Sequence, residues 1–260
     1  MSGLLLREDD IYRGDLILVN AKHRVRKKPK RDMLPLSPDK KGVKMEAGAA
    51  AMYLQLMREI GHGDEILPVS GYRPVEEQEA IYRESVEQNG EEFTKRYVAL
   101  PGRSEHQTGL AIDVGENKEK VDFICPEFPY TGICGRFREK AAGYGFIERY
   151  RQGKEKITGI APEPWHFRYV GYPHAEIIRE MGVCFEEYID IVKKYRFDGP
   201  RLIYRRNGRR IEIFYVPFDG GARVLTMPDA APYRVSGNNV DGFVVTVFHG
   251  YLRVNSFELH

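Results

Sequence analysis

Ser104-Glu105-His106-Gln107-Thr108-Gly109-Leu110-Ala111-Ile112-Asp113 is the stretch that decides how the rest of the chain is read. It carries an imidazole at His106 and a carboxylate at Asp113. Gly109 to Val114 has the composition of a strand, and strand side chains alternate between faces. Ala111 and Asp113 then share one side, Leu110 and Ile112 the other. An acid at such a strand position needs a partner, and a metal ion is one.

A second stretch, Glu163-Pro164-Trp165-His166, adds another imidazole and another carboxylate. Either stretch alone carries little weight, since most histidines are structural or exposed. Together they supply three protein ligands, one spare carboxylate and room for water, which are the parts of a catalytic zinc site. Glu163 is the carboxylate to leave off the metal, where it can take a proton from water and pass it to a leaving amine. Arg73, in Ser70-Gly71-Tyr72-Arg73 at the start of a helix, is placed to aim a guanidinium at a developing oxyanion. The plainer reading of Arg73 is a structural ion pair.

The remaining composition narrows the field. The chain has 260 residues, enough for one large domain or a domain with a smaller module. Forty Lys and Arg against 38 Asp and Glu leave a net charge of +2, which argues against a protein-wide nucleic-acid surface. Arg7, Glu8, Asp9, Asp10, Arg13 and Asp15 interrupt any apolar leader near the start. No run approaches the roughly 18 apolar residues of a membrane span, so the expected location is cytoplasmic. Cys125, Cys134 and Cys184 form no paired motif and are expected to be reduced, partly buried thiols.

Along the chain, Leu16 to Val19 reads as a buried strand or pinned extended segment. Lys22 to Lys41 is rich in Lys, Arg and Pro and is expected to be an exposed loop, either solvated or a landing site for phosphate. Met45 to Ile60 and Pro74 to about Gln88 read as helices, the second stopped by Asn89-Gly90. Ile66–Ser70, Phe146-Ile147 and Trp165–Val170 read as strands. Phe137–Tyr144, His174–Met181 and Phe185–Lys194 read as helices. Beyond Gly199, Asn207-Gly208 between Leu202–Arg206 and Arg209–Val216 predicts a hairpin with a type I′ turn, and Val240–Phe248 adds a strand. The division expected is a catalytic domain over 1–198 and a small all-β module over 199–260. The module's only histidines are His249 and His260, so it is expected to do no chemistry and to be dispensable for zinc binding.

These motifs resemble the zinc D-alanyl-D-alanine carboxypeptidases, including the VanY-type and bifunctional VanXY-type enzymes of vancomycin resistance. The resemblance rests on Ser70-Gly71-Tyr72-Arg73 with Gln78, on Pro101-Gly102 through Asp113, on Tyr144-Gly145-Phe146-Ile147 with Arg149-Tyr150, and on Thr158-Gly159-Ile160 through Gly171. It covers about residues 10–195. It implies an α+β fold like that of the Hedgehog signalling domain, zinc on His106, Asp113 and His166, Glu163 as general base and Arg73 at the oxyanion. Ser104 and Gln78 fall where the family contacts substrate or supports the cleft. Pro74, where a small hydroxyl residue is usual, and the basic loop depart from the family pattern.

The implied activity is removal of the terminal D-Ala from D-Ala-D-Ala-ended peptidoglycan precursors, with dipeptidase activity also open. The competing functions are an L,D-type cell-wall endopeptidase and a non-catalytic zinc-bearing module. Glu163 and Arg73 weigh against the last, because a structural zinc needs neither. Nucleic-acid binding through the basic loop is not expected, since no aromatics interleave with its charges.

Overall fold

The computed structural model describes residues 2–29, 32–36, 42–61, 63–227 and 231–251. In chain order it runs β1 (Ser2–Leu6), β2 (Met33–Pro35), β3 (Lys44–Glu46), α1 (Ala47–Ile60), β4 (Ile66–Ser70), α2 (Val75–Tyr97) and β5 (Ala111–Glu116). Next come α3 (Gly132–Ala141), β6 (Phe146–Tyr150), α4 (Glu155–Thr158), β7 (Glu163–Tyr169), α5 (His174–Met181) and α6 (Phe185–Val192). The described residues end with β8 (Leu202–Arg206), β9 (Arg209–Pro217), β10 (Arg223–Met227), β11 (Tyr233–Gly237) and β12 (Gly242–Tyr251). The fold is α+β. None of the described helices is long and apolar enough to cross a membrane.

An antiparallel sheet in the order β4-β5-β7-β6 carries the two motifs. One face packs on α1 and α3. Ala residues favour the helix at α1, Glu46 caps it by accepting from the Ala49 N–H, and Gly61 at φ 63 ends it. Its inward side presents Tyr53, Leu56 and Ile60, which pack with Ile112 and Val114 of β5, Phe137 of α3, and Phe146 and Phe167. Burying such side chains contributes about 1.5–3 kcal/mol each. Because strand residues alternate, this apolar face leaves Asp113, His166 and Arg168 on the other one.

The later strands form a second antiparallel sheet, β11-β12-β9-β8. Asn207 (φ 48) and Gly208 (φ 71) make its first hairpin, the left-handed pair that a type I′ turn requires. One face of this sheet, with Ile211, Ile213, Tyr215 and Val244, packs against Ile177, Phe185 and Tyr188 of α5 and α6. The opposite face, with Phe214, Val216, Phe243 and Val245, packs on Leu6, Leu225 and Met227. That second layer is β1 paired with β10, so the first strand of the chain is completed by the C-terminal region. A boundary at residue 198 therefore cuts through shared apolar contacts on both faces of the sheet.

Three local expectations differ from the structure. The 22–41 segment is not irregular throughout: Met33–Pro35 pairs with Lys44–Glu46 and Leu36 is buried, because apolar side chains here have a strand to join. Of its charges, Lys30, Arg31, Lys40 and Lys41 lie outside the described residues, as does His260 in the C-terminal region. Gly90 does not end α2. It kinks the helix at φ 82, and the helix resumes to Tyr97. The helix before Tyr144 begins earlier than Phe137, at Gly132. Leu16–Val19, by contrast, takes one of its two expected forms, the pinned extended segment: it is buried and held by Leu18 N–H to the Asn238 carbonyl and Leu16 N–H to Ser236 Oγ.

Candidate active site

Sheet register assembles the site. Ser70 pairs with Asp113 across β4–β5, and Asp113 with His166 across β5–β7. Directly opposed residues on antiparallel strands project to the same face about 4.5–5.5 Å apart at Cβ, so these two side chains must meet. Glu163 sits three positions before His166, which strict alternation would send to the other face. The β6–β7 pairing is irregular between Glu148 and Tyr150, where residues 164–166 stand opposite Arg149, and such a bulge re-aims side chains.

His106 arrives from a short 3-10 helix, Glu105–Thr108, ended by Gly109 in the left-handed region at φ 71. The positive φ calls for glycine at this position, and a Cβ there would also crowd the Glu46 backbone nitrogen at 3.0 Å.

The donor atoms of His106, Asp113 and His166 all lie within 4.8 Å of one another, and all three side chains are buried. His106 Nε2 is 3.1 Å from Asp113 Oδ2, and His166 Nδ1 is 2.8 Å from Asp113 Oδ1. The other nitrogen of His106, Nδ1, donates to the Gly71 carbonyl at 2.8 Å. A carbonyl can only accept, so this contact places the proton on Nδ1 and frees Nε2 for a metal. Burial lowers the pKa of His106 against the pull of Asp113, which favours the neutral ring a metal needs. Burial opposes ionisation of Asp113, yet the two imidazoles hold its carboxyl well below the usual range. Burial also disfavours a charged His166, but Asp113, helped by Glu105, pushes its pKa up to about 10. Two imidazoles and one carboxylate facing a common point fit zinc.

Glu163 Oε2 lies 3.9 Å from His166 Nδ1, beside the cluster. Burial, with the Asp113 and Glu105 charges, pushes its pKa up to about 8. A divalent cation among the three donors would draw it back toward the ionised form.

Arg73 is buried in the same cleft. Its Nη1 donates to Gln78 Oε1 at 2.8 Å and its Nη2 to Ser70 Oγ at 2.7 Å. Both acceptors are neutral, so these contacts orient the guanidinium without cancelling its charge, unlike a structural ion pair. Gln78 is in turn fixed by donating to the Ala99 carbonyl at 2.7 Å, which makes it the support of Arg73. Ser104 is buried and lines the cleft with Tyr97, Phe123, Tyr150 and Trp165. The cleft opens to solvent, and its empty space counted out to the mouth is about 550 Å³.

Several neighbours were not singled out by residue type. Tyr150 lies against the His166 ring, centroids 5.0 Å apart, and Phe123 covers the Arg73 guanidinium at 5.9 Å. Glu105 contacts His166 from behind at 3.4 Å. The sequence held one hint: Arg149 and Arg168 stand in strands rich in aromatic residues, and buried arginines require a buried acid, though which acid is set by strand pairing. None of the three cysteines is a donor of the metal cluster, though Cys125 follows cleft-lining Ile124 and feels the Glu163 and Asp113 charges; burial is the main cause that raises each thiol pKa to about 11.

Comparison with known proteins places this arrangement. The family described as VanY, D-alanyl-D-alanine carboxypeptidase, matches residues 42–172. A D-alanyl-D-alanine carboxypeptidase of Enterococcus faecium is 35% identical over 265 residues, spanning 96% of this chain and 80% of its own length. The bifunctional D-Ala-D-Ala dipeptidase and D-Ala-D-Ala carboxypeptidase VanXYC of Enterococcus gallinarum is 43% identical over 177 residues, 67% of this chain and 93% of that protein. Among solved structures, the vancomycin resistance D,D-dipeptidase VanXYg, in complex with a D-Ala-D-Ala phosphinate analogue, superimposes with TM-score 0.93 at 46% identity. That match covers 95% of this chain and 99% of VanXYg. The LD-carboxypeptidase LdcB aligns less fully, with TM-score 0.58, 33% identity and 68% of this chain covered.

Proposed function

Because the chain belongs to the VanY family of D-alanyl-D-alanine carboxypeptidases, we propose that it is a zinc D,D-peptidase whose metal is held by His106, Asp113 and His166. It removes the terminal D-Ala from D-Ala-D-Ala-ended peptidoglycan precursors and also splits the free D-Ala-D-Ala dipeptide. The observation that carries this reading is the convergence of three metal donors, one further acid and one guanidinium hydrogen-bonded to neutral acceptors in a single cleft. The likeness to a D,D-dipeptidase along nearly the whole chain supports the dipeptidase arm.

Bound zinc would polarise the scissile carbonyl and make a water more acidic. The rest falls to the side chains. Glu163 takes the proton of the attacking water as its oxygen bonds to the carbonyl carbon. It then delivers that proton to the departing D-Ala nitrogen as the C–N bond breaks. Arg73, held by Gln78 and Ser70, meets the negative charge that develops on the carbonyl oxygen. Ser104 lines the cleft where the substrate backbone lies. Burial of Glu163 beside Tyr150 and Trp165 keeps bulk water from competing for the proton.

Zinc-loaded protein incubated with D-Ala-D-Ala, with a muramyl pentapeptide ending in D-Ala-D-Ala, and with a tetrapeptide ending in an L,D bond tests the reading. Free D-Ala should appear from the first two. Release from the L,D substrate alone would replace this function with an L,D-peptidase.

A further inference from the structure

Behind His166, on the side away from Asp113, lies a carboxylate that no part of the reaction uses. Glu105 is 1% exposed, and its partners Arg149 and Arg168 are 1% and 0% exposed. Both arginines address the same oxygen: Arg149 Nε donates to Oε1 at 2.9 Å and Arg168 Nη1 at 3.0 Å. The remaining oxygen, Oε2, faces His166 Nε2 at 3.4 Å.

The two arginines are themselves fixed. Arg149 makes a two-pronged contact with Glu186 of α6, at 2.9 and 2.6 Å. Arg168 donates to the carbonyls of Asp15 and Ile17, each at 3.0 Å. Two acids and two arginines balance in charge, as a buried network must. The carboxylate cannot rotate without breaking a charge-assisted bond to one arginine or both.

We propose that Glu105 is a positioning residue for the metal centre. Clamped through Oε1, it accepts the Nε2 proton of His166 through Oε2 and thereby presents Nδ1 as the ligand atom. The inference rests on His166 binding the metal, as proposed above. An imidazole ligates only through a nitrogen that carries no proton, so the contact at the far nitrogen selects the ligand. Both ring nitrogens face an acid, Nδ1 meeting Asp113 Oδ1 at 2.8 Å; a metal cation at Nδ1 displaces the proton there, while Glu105, which accepts and never donates, retains the one on Nε2.

The same logic predicts what a neutral replacement does. In Glu105→Gln both arginines still require an acceptor, so the amide oxygen must face them. The amide NH2 then faces Nε2, donor against donor. Relief comes only when the ring moves its proton to Nδ1, the atom the metal needs.

The test is zinc affinity, measured by competition with a chelator, on metal-free chain whose melting curve is recorded separately. Glu105→Gln should weaken zinc binding by about 10- to 100-fold, the usual cost of losing such an outer partner, while the metal-free chain still melts cooperatively. Nitrogen NMR of zinc-loaded wild type, which needs no variant to fold, should show a proton on Nε2 of His166 and none on Nδ1. Zinc affinity within twofold of wild type in folded Glu105→Gln, or metal bound through Nε2, overturns the inference. His166→Ala separates the two levels. If it binds zinc as wild type does, the metal-site reading itself fails; if it loses zinc while Glu105→Gln keeps it, only the role of Glu105 fails.

Discussion

Asp113 and His166 face each other across neighbouring antiparallel strands, and one carboxylate oxygen serves each imidazole of the site: Oδ1 lies 2.8 Å from His166 and Oδ2 lies 3.1 Å from His106. Asp113 is thus the centre of the donor set, and its two oxygens cannot be replaced by an amide. Asp113→Asn would turn one acceptor into a donor pointed at a nitrogen that must stay unprotonated. After dialysis, wild type should retain close to one zinc per chain by elemental analysis, and Asp113→Asn well below that. Chelation of wild type should abolish D-Ala release and added zinc should restore it. Full zinc occupancy in Asp113→Asn would remove Asp113 from the ligand set.

Glu163 stands beside the donors without completing them. Glu163→Ala should therefore keep its zinc and lose about 10²–10⁴-fold in turnover, the range for a missing general base. Zinc content and D-Ala release measured on one preparation decide it. Turnover at the wild-type rate would end the assignment, and loss of zinc would make Glu163 a fourth ligand.

Arg73 is oriented by neutral acceptors, so its charge is available to substrate. Arg73→Lys keeps a cation but loses the planar fork that meets Gln78 and Ser70. The loss should fall on kcat, by about 10²–10³-fold if the guanidinium matches a single oxyanion donor. Steady-state kinetics on D-Ala-D-Ala separates the parameters. An effect confined to KM would make Arg73 a clamp on the ground state.

Most of this site was legible in the chain because its parts lie in short motifs whose spacing follows strand and turn geometry. Asp113 could be placed on the polar face of a strand from Ile112 alone, since alternation fixes both. Glu163 and His166 were legible as residues but not as neighbours on one face, because the irregular pairing beside Pro164 that brings them together leaves no mark in periodicity. Glu105 escaped for a different reason. Its role depends on Arg149 and Arg168, which meet only when β6 and β7 pair. The participation of β1 in the C-terminal region was equally hidden, since pairing between Leu4 and Leu225 spans nearly the whole chain.

His174 joins the two halves of the fold and makes stability depend on pH. Its Nδ1 faces the Tyr188 hydroxyl at 2.6 Å and its Nε2 the Thr246 hydroxyl at 3.0 Å, linking α5, α6 and β12. Burial, with a smaller push from Arg234, lowers its pKa from 6.5 to about 3. Between those values the unfolded chain holds a proton that the folded chain refuses. Stability is therefore fully present above the unfolded pKa and falls as pH drops toward about 3, by up to about 1.4 kcal/mol per pH unit from this group. Melting temperatures from pH 7 to pH 4 should fall less steeply for His174→Gln than for wild type. Parallel slopes would show that His174 takes up its proton without unfolding.

The C-terminal strands carry no donor of the metal cluster, yet removing them should not leave an active core. A chain ending at Asp198 loses the sheet face that covers Ile177, Phe185, Tyr188 and Ile189, all buried in the intact protein. It also leaves β1 without β10 and frees the 15–20 segment from Asn238 and Asn239, whose contacts include Leu18. That segment supplies the Asp15 and Ile17 carbonyls that hold Arg168, and Asn20 holds Glu186. At about 1.5–3 kcal/mol for each large apolar side chain uncovered, four of them approach or exceed the roughly 5–15 kcal/mol that keeps a domain folded. The truncated chain should aggregate or melt without cooperativity, and should bind zinc poorly because its Glu105 clamp loses its anchors. Size-exclusion chromatography, thermal melting and zinc content measure all three. A monomeric, cooperatively folding, zinc-loaded truncation that releases D-Ala from the dipeptide would show that the first 198 residues stand alone and that the shared packing is incidental to the site.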